Sequence, residues 1–129
     1  TNTFNLSIGI NKFRLRGLNN GNFVYSNVLS YTKQIMPTVN GISFPVFSKN
    51  MLNICIGVAS DGGSPILECG FVYNTTGTPT IADNKVLYNN QLGNQCNDFI
   101  RPVVGQNYYF AAFVTTAAGT SYFYHPNPI

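Results

Sequence analysis

Ser60-Asp61-Gly62-Gly63, Gly70-Phe71-Val72-Tyr73-Asn74-Thr75-Thr76, Pro79-Thr80-Ile81-Ala82-Asp83-Asn84-Lys85-Val86 and Asn107-Tyr108-Tyr109-Phe110-Ala111-Ala112-Phe113-Val114-Thr115-Thr116-Ala117-Ala118-Gly119-Thr120 follow one another between Ser60 and Tyr122. The apolar runs are short, rich in aromatic and β-branched residues, and bounded by Gly, Pro, Asn or Asp, as strands between turns are. In the last block, alternation puts Tyr108, Phe110, Ala112 and Val114 inward and Tyr109, Ala111 and Phe113 outward. Just upstream, Leu52, Ile54, Ile56 and Val58 alternate with smaller or polar neighbours. That period of two makes Met51 to Val58 a core strand with Cys55 on its other face.

Working outward, Asp61-Gly62-Gly63-Ser64-Pro65 supplies residues tolerant of positive φ and then one of fixed φ, so a turn follows the core strand. Ile66 to Asn74 reads as the next strand, Thr75 to Asn84 as a loop crossing between sheets, and Lys85 to Asn89 as a short strand. The Asn- and Gln-rich stretch from Asn90 to Asp98 reads as a turn-bearing segment, and Phe99 to Val103 as a strand ending near Pro102. Ala117-Ala118-Gly119-Thr120 forms a hairpin tip, and Ser121 to Tyr124 begins the final strand. With two prolines, His125-Pro126-Asn127-Pro128-Ile129 is a poor ladder partner.

In that order and spacing, the four opening blocks resemble the fibronectin type III-like, immunoglobulin-like repeats common in surface and secreted proteins of Bacteroidota and in the phages that infect them. The typical run there is S-D-G-G, then R-G-V-x-Y-S-T, P-T-x-x-D-x-K and Y-Y-V-R-A-Y-A-T-N-x-A-G-T. The resemblance covers roughly residues 37 to 124. It implies an all-β, immunoglobulin-like (fibronectin type III-like) β-sandwich over residues 37 to 129. Gly105-Gln106-Asn107-Tyr108 occupies the family's tyrosine-corner position, where a buried Tyr hydroxyl bonds to nearby backbone. The Pro-rich tail departs from the family, whose final strand runs longer.

Residues 1 to 36 carry a further hairpin pattern from Phe13 to Thr32, with an N-x-G tip at Asn19-Asn20-Gly21. Its outline is that of the last hairpin of a second, truncated repeat, although aligning Gly21 with Gly119 slips the apolar parity by one residue. Either the first hairpin carries a one-residue bulge or the likeness is that of any β-hairpin. A hairpin cannot bury a core alone, so residues 1 to 36 are expected to be an N-terminal arm, anchored through Phe13, Leu15, Phe23 and Tyr25.

Seven Lys or Arg against four Asp or Glu give a net charge of +3 on 129 residues, too sparse for strong steering of a polyanion. Lys12, Arg14 and Arg16 alternate with Phe13 and Leu15, which reads as a solvated strand face and not as a nucleic-acid patch. The three cysteines, Cys55, Cys69 and Cys96, form no C-x-x-C or Cys/His cluster. They read as free thiols of a reducing compartment, with a Cys55 to Cys69 bridge as the competing account. No apolar run approaches the ~20 residues of a membrane span, and no basic-then-apolar leader is visible.

Catalysis by paired carboxylates or by a nucleophile and base finds little to work with: Asp61, Glu68, Asp83, Asp98 and the single His125 in the tail. Asp61 and Asp83-Asn84 would have to meet at one end of a sandwich to hold calcium, and they read as turn residues. No enzyme activity, cofactor or metal is therefore expected. Outward Tyr109 and Phe113, with Tyr122 and Tyr124 on the adjoining strand, form the candidate contact surface, suited to protein partners or to stacking on sugar rings. The expected role is structural or adhesive, with other protein subunits, or cell-surface carbohydrate, as partners. Two settings compete. Small size, free thiols and the missing leader favour a bacteriophage virion surface component, a capsid decoration or fibre protein. The partial upstream repeat favours an adhesin repeat or accessory module of a secreted or cell-surface Bacteroidota protein.

Overall fold

The structure, a computed structural model, describes residues 9–13, 16–25 and 29–129. Every regular element among them is a strand: β1 (Gly9–Phe13), β2 (Arg16–Asn19), β3 (Asn22–Tyr25), β4 (Leu29–Lys33), β5 (Thr38–Phe47), β6 (Met51–Ser60), β7 (Glu68–Asn74), β8 (Asn84–Leu87), β9 (Gly93–Ile100), β10 (Tyr109–Thr116) and β11 (Gly119–Tyr124). A three-stranded antiparallel sheet, β5-β6-β9, faces a four-stranded one, β11-β10-β7-β8. Together they make a β-sandwich. The parity expected from the sequence builds its core. Leu52, Ile54, Ile56 and Val58 of β6 meet Cys69 and Phe71 of β7 and Phe110, Ala112 and Val114 of β10, all buried.

Aromatic rings fill the middle of the layer. Phe71 meets Phe99, Tyr88 and Phe110 edge-on at centroid distances of 5.3, 5.9 and 5.9 Å, arrangements that the ring quadrupole favours. Tyr88 also donates its hydroxyl to the Ile54 carbonyl at 2.6 Å. Burial of the phenol pushes its pKa up to about 12, since the phenolate would be poorly solvated and could no longer donate. At the sheet edge, β5 carries Pro45, and its ladder with β6 shifts register between Ser43 and Val46. A proline has no N–H to give, so an edge strand is where it is tolerated. Gly62 and Gly63, at φ 70° and 90°, turn the chain from β6 towards β7.

Tyr108 is buried, and its hydroxyl accepts a hydrogen bond from the Val103 N–H at 3.1 Å, the corner contact expected from the sequence. Tyr108→Phe is expected to lose roughly 1 to 3 kcal/mol in urea unfolding, because it strands a partly buried donor. A variant of unchanged stability would deny the hydroxyl that role. Beyond β11, the His125 N–H donates to Phe110, while Tyr108 and Ile129 exchange two backbone bonds of 2.8 and 2.9 Å. The tail therefore stays alongside β10 despite its prolines.

The Asn- and Gln-rich stretch departs from expectation. Rather than a turn segment followed by a strand at Phe99 to Val103, Gly93–Ile100 is one strand paired with β6 from Met51↔Ile100 to Val58↔Gly93. An edge strand with one solvated face needs few apolar residues, and only its Phe99 packs on the core. That pairing sets Cys55 directly opposite Cys96, and the two form a disulfide. The reading of three free thiols, and the alternative Cys55 to Cys69 bridge, are both corrected. Cys69 alone is free, facing the core with its thiol donating to the Asn89 carbonyl, and burial raises its pKa.

In the first 36 residues β1 pairs with β4 and β2 with β3, and the β2–β3 turn passes through Asn20 and Gly21 at φ 51° and 79°. Two successive left-handed residues make the turn that matches strand twist. The ladders are offset by one residue, since Phe13 pairs with Leu29 whereas Arg16 pairs with Tyr25.

Candidate contact surface

The outward face of the four-stranded sheet can be read from its register. Tyr124 and Tyr122 of β11 lie opposite Ala111 and Phe113 of β10, which lie opposite Val72 and Gly70 of β7, then Lys85 and Leu87 of β8. Phe113 does point away from the main core, as its parity requires, but it is 0% exposed. Together with Val72 and Ala111 it forms a second small apolar cluster, against which Tyr122 packs. Gly70, opposite Phe113, has the Val86 carbonyl where a side chain would stand, so β8 closes directly on β7 there, and the Lys85–Glu68 ion pair, 2.7 Å, links the same two strands. Phe113 is thus withdrawn from the contact surface and becomes part of its foundation.

Tyr109, Tyr122 and Tyr124 remain accessible on this face, half-buried or exposed. The rings of Tyr122 and Tyr124 stack at 5.6 Å and 25°, and the Tyr122 hydroxyl accepts from the Ile81 N–H at 3.0 Å. Burial, and then the neighbouring Tyr122, raise the pKa of Tyr124. Tyr109 and Tyr124 line a cleft of about 280 Å³ whose far wall is Gly77, Thr78 and Pro79 and whose end is His125 and Pro126.

That wall is built by side-chain hydrogen bonds within the β7–β8 loop. Asn74 accepts from the N–H groups of Thr76 and Gly77 and donates to the Gly77 carbonyl and to Asp83, while Asp83 accepts from the Thr80 N–H. The arrangement holds Thr78 at φ 45°, a conformation that a β-branched residue seldom adopts. Such local strain is retained only where surroundings dictate it, and it often marks a recognition site. Asp83 therefore organises a loop, and no signal in the sequence singled out Thr78.

Other expected sites separate. Asp61 accepts from the Gly63 N–H in the turn that follows β6, whereas Asp83 accepts from Asn74 and the Thr80 N–H in the loop that follows β7, so each carboxylate is engaged in its own turn. Among the described residues, no three His, Cys, Asp or Glu side chains group as metal ligands do. The anchoring residues Phe13, Phe23 and Tyr25 lie on β1 and β3, their side chains and the whole of Leu15 falling outside the described residues. Lys12 and Arg16 are exposed, in β1 and β2, and Arg14 is outside the described residues. No helix of the described residues is long and apolar enough to cross a membrane. Comparisons with protein-family models, with curated proteins and with solved structures found no match for the chain.

Proposed function

We propose that this chain is a non-enzymatic adhesive and structural module of immunoglobulin-like, fibronectin type III-like topology that works outside the reducing cytoplasm. The observation that carries the reading is the aromatic cleft, in which Tyr109 and Tyr124 face a loop fixed by Asn74 and Asp83. Aromatic faces beside hydroxyl and amide groups suit a sugar ring or a polar protein surface. The strand order β5-β6-β9 against β11-β10-β7-β8, together with the Tyr108 corner, supports the topology.

The Cys55–Cys96 disulfide favours a secreted or cell-surface module, because such bonds persist in oxidising surroundings. The small sandwich and the paired strands β1–β4 and β2–β3 also suit a virion surface component, with the arm anchored and the sandwich outward. Binding of the full chain to intact bacterial cells, and to polysaccharide extracted from them, tests the shared core of both settings. Tyr109→Ala and Tyr124→Ala are each expected to weaken binding about tenfold, roughly the 1.4 kcal/mol of a lost aromatic contact. Undiminished binding by both variants, or turnover of any glycoside by the wild-type chain, would overturn the reading.

A further inference from the structure

We propose that the outer edge of β9 is a self-association site, on which two copies of this chain pair antiparallel, β9 on β9, about a two-fold axis at Cys96. β9 is the last strand of its sheet, so one side of its backbone has no neighbouring strand. Two observations tell which groups that side presents. The Arg101 N–H donates to the Asn50 carbonyl at 2.8 Å, one step past the Met51↔Ile100 pair. The Cα atoms of Cys55 and Cys96 are 4.0 Å apart, the close spacing of opposed residues that exchange no main-chain bonds. Odd-numbered residues of β9 therefore bond to β6, and Asn94, Cys96, Asp98 and Ile100 turn their N–H and C=O groups outward. All four residues are exposed, and among the described residues those groups meet no hydrogen-bond partner.

The other three edges of the sandwich are protected against strand addition, and this one is not. β5 carries Pro45 and shifts its register with β6 three times. β8 is four residues long and bears Lys85. β11 lies against β5 and runs into the tail of Pro126 and Pro128. Prolines, bulges, short length and lysines are the devices that keep sheet edges apart. β9 has eight residues in unbroken register, with no proline and no cation. Its disulfide clamps it to β6, so the edge is ordered before a second strand arrives.

The sequence of β9 complements itself in one register. With Cys96 opposite Cys96 of the second copy, Asn94 meets Asp98, Gln95 meets Asn97, and Leu92, just before the strand, comes up to Ile100. Leu92 and Ile100 are 52% and 76% exposed in the single chain. The pairing sets amide on carboxylate, amide on amide and apolar on apolar, each twice by symmetry. Asp98 accepts from the Asn53 amide at 2.9 Å, which leaves its other oxygen for Asn94 of the second copy. The outward groups of Asn94, Cys96 and Asp98 then exchange about six main-chain bonds, two per opposed pair. Neighbouring registers lose this match, since they set Ile100 against Asn94 or Asp98 against Leu92. The edge is separate from the tyrosine cleft, and its test uses neither cells nor polysaccharide, so each proposal can fail without the other.

The test is sedimentation equilibrium of the full, unreduced chain, joined to amide hydrogen exchange at low and high protein concentration. A reversible dimer is expected. The N–H groups of Asn94, Cys96 and Asp98 should be protected only at high concentration, while those of Gln95, Asn97 and Phe99 are protected at both. Asn94→Asp, a change at an exposed position that sets like charges against Asp98 of the second copy, should weaken the dimer about tenfold. Asn94→Lys should tighten it about threefold. Net charge alone would act in the opposite sense, because the chain already carries +3. A chain that stays monomeric, a dimer that leaves these three amides unprotected, or one that does not respond oppositely to the two substitutions would overturn the proposal.

Discussion

Replacing Cys55 and Cys96 together by serine is expected to lower the stability of the folded chain by about 4 kcal/mol, the loop-closure entropy of a cross-link between residues that far apart. The separation is 41 residues, long enough for the bridge to restrict the unfolded chain severely. Both side chains lie on the outward face of β6 and β9, Cys55 half-buried and Cys96 exposed, so serine leaves no cavity in the core. The effect should therefore arise in the unfolded state, and adding dithiothreitol to the wild-type chain should reproduce it in urea unfolding. Thiol titration of the unfolded, unreduced protein should count one group, Cys69, and reduction should raise the count to three. A count of three before reduction would remove both the stabilisation and the argument for an oxidising setting.

The disulfide also shows where sequence reasoning lost its footing. Alternation in β6 and β10 fixes which residues face inward, because a period of two on a half-buried strand is a strong signal. The core followed residue by residue, from Leu52 to Val58 and from Tyr108 to Val114. β9 carries almost no such signal. Its Asn94, Gln95, Asn97 and Asp98 read as a turn, and only the ladder with β6 reveals a strand, held by backbone bonds that any residue can make. Without a strand signal in β9, Cys96 has no visible partner strand, and the bridge to Cys55 is not legible in the sequence.

Phe113 departs from expectation for a different reason, since it faces outward and is nevertheless 0% exposed. Parity tells which face a side chain takes and says nothing about whether that face is covered. Its burial depends on Val72 of β7 and on Tyr122 opposite it on β11, contacts between strands that sequence parity alone does not pair. Arg101 escaped notice altogether, since a single Arg between Ile100 and Pro102 resembles a strand-end cation. Its buried guanidinium ties together three separate parts of the chain, through oxygens of Ser48, Gln106 and Ile129.

Phe71→Ala is expected to cost about 3 to 5 kcal/mol, the range for deleting a fully buried aromatic ring. Phe71 is among the largest fully buried side chains, and its ring is edge-on to Tyr88, Phe99 and Phe110, which come from three different parts of the sandwich. Its cross-strand partners are Ala112 on β10 and Val86 on β8. Ala112 is too small to move into the vacated space, so truncation would set two alanines side by side and leave a cavity that neighbouring rings can fill only by abandoning their edge-on contacts. Phe71→Leu, which keeps most of the volume, should cost less than half as much. Both variants are compared with the wild-type chain by urea unfolding at constant slope, so that the midpoint alone reports stability. A loss below about 1 kcal/mol for Phe71→Ala would mean that the two sheets do not close on this ring, and the sandwich core would have to be redrawn.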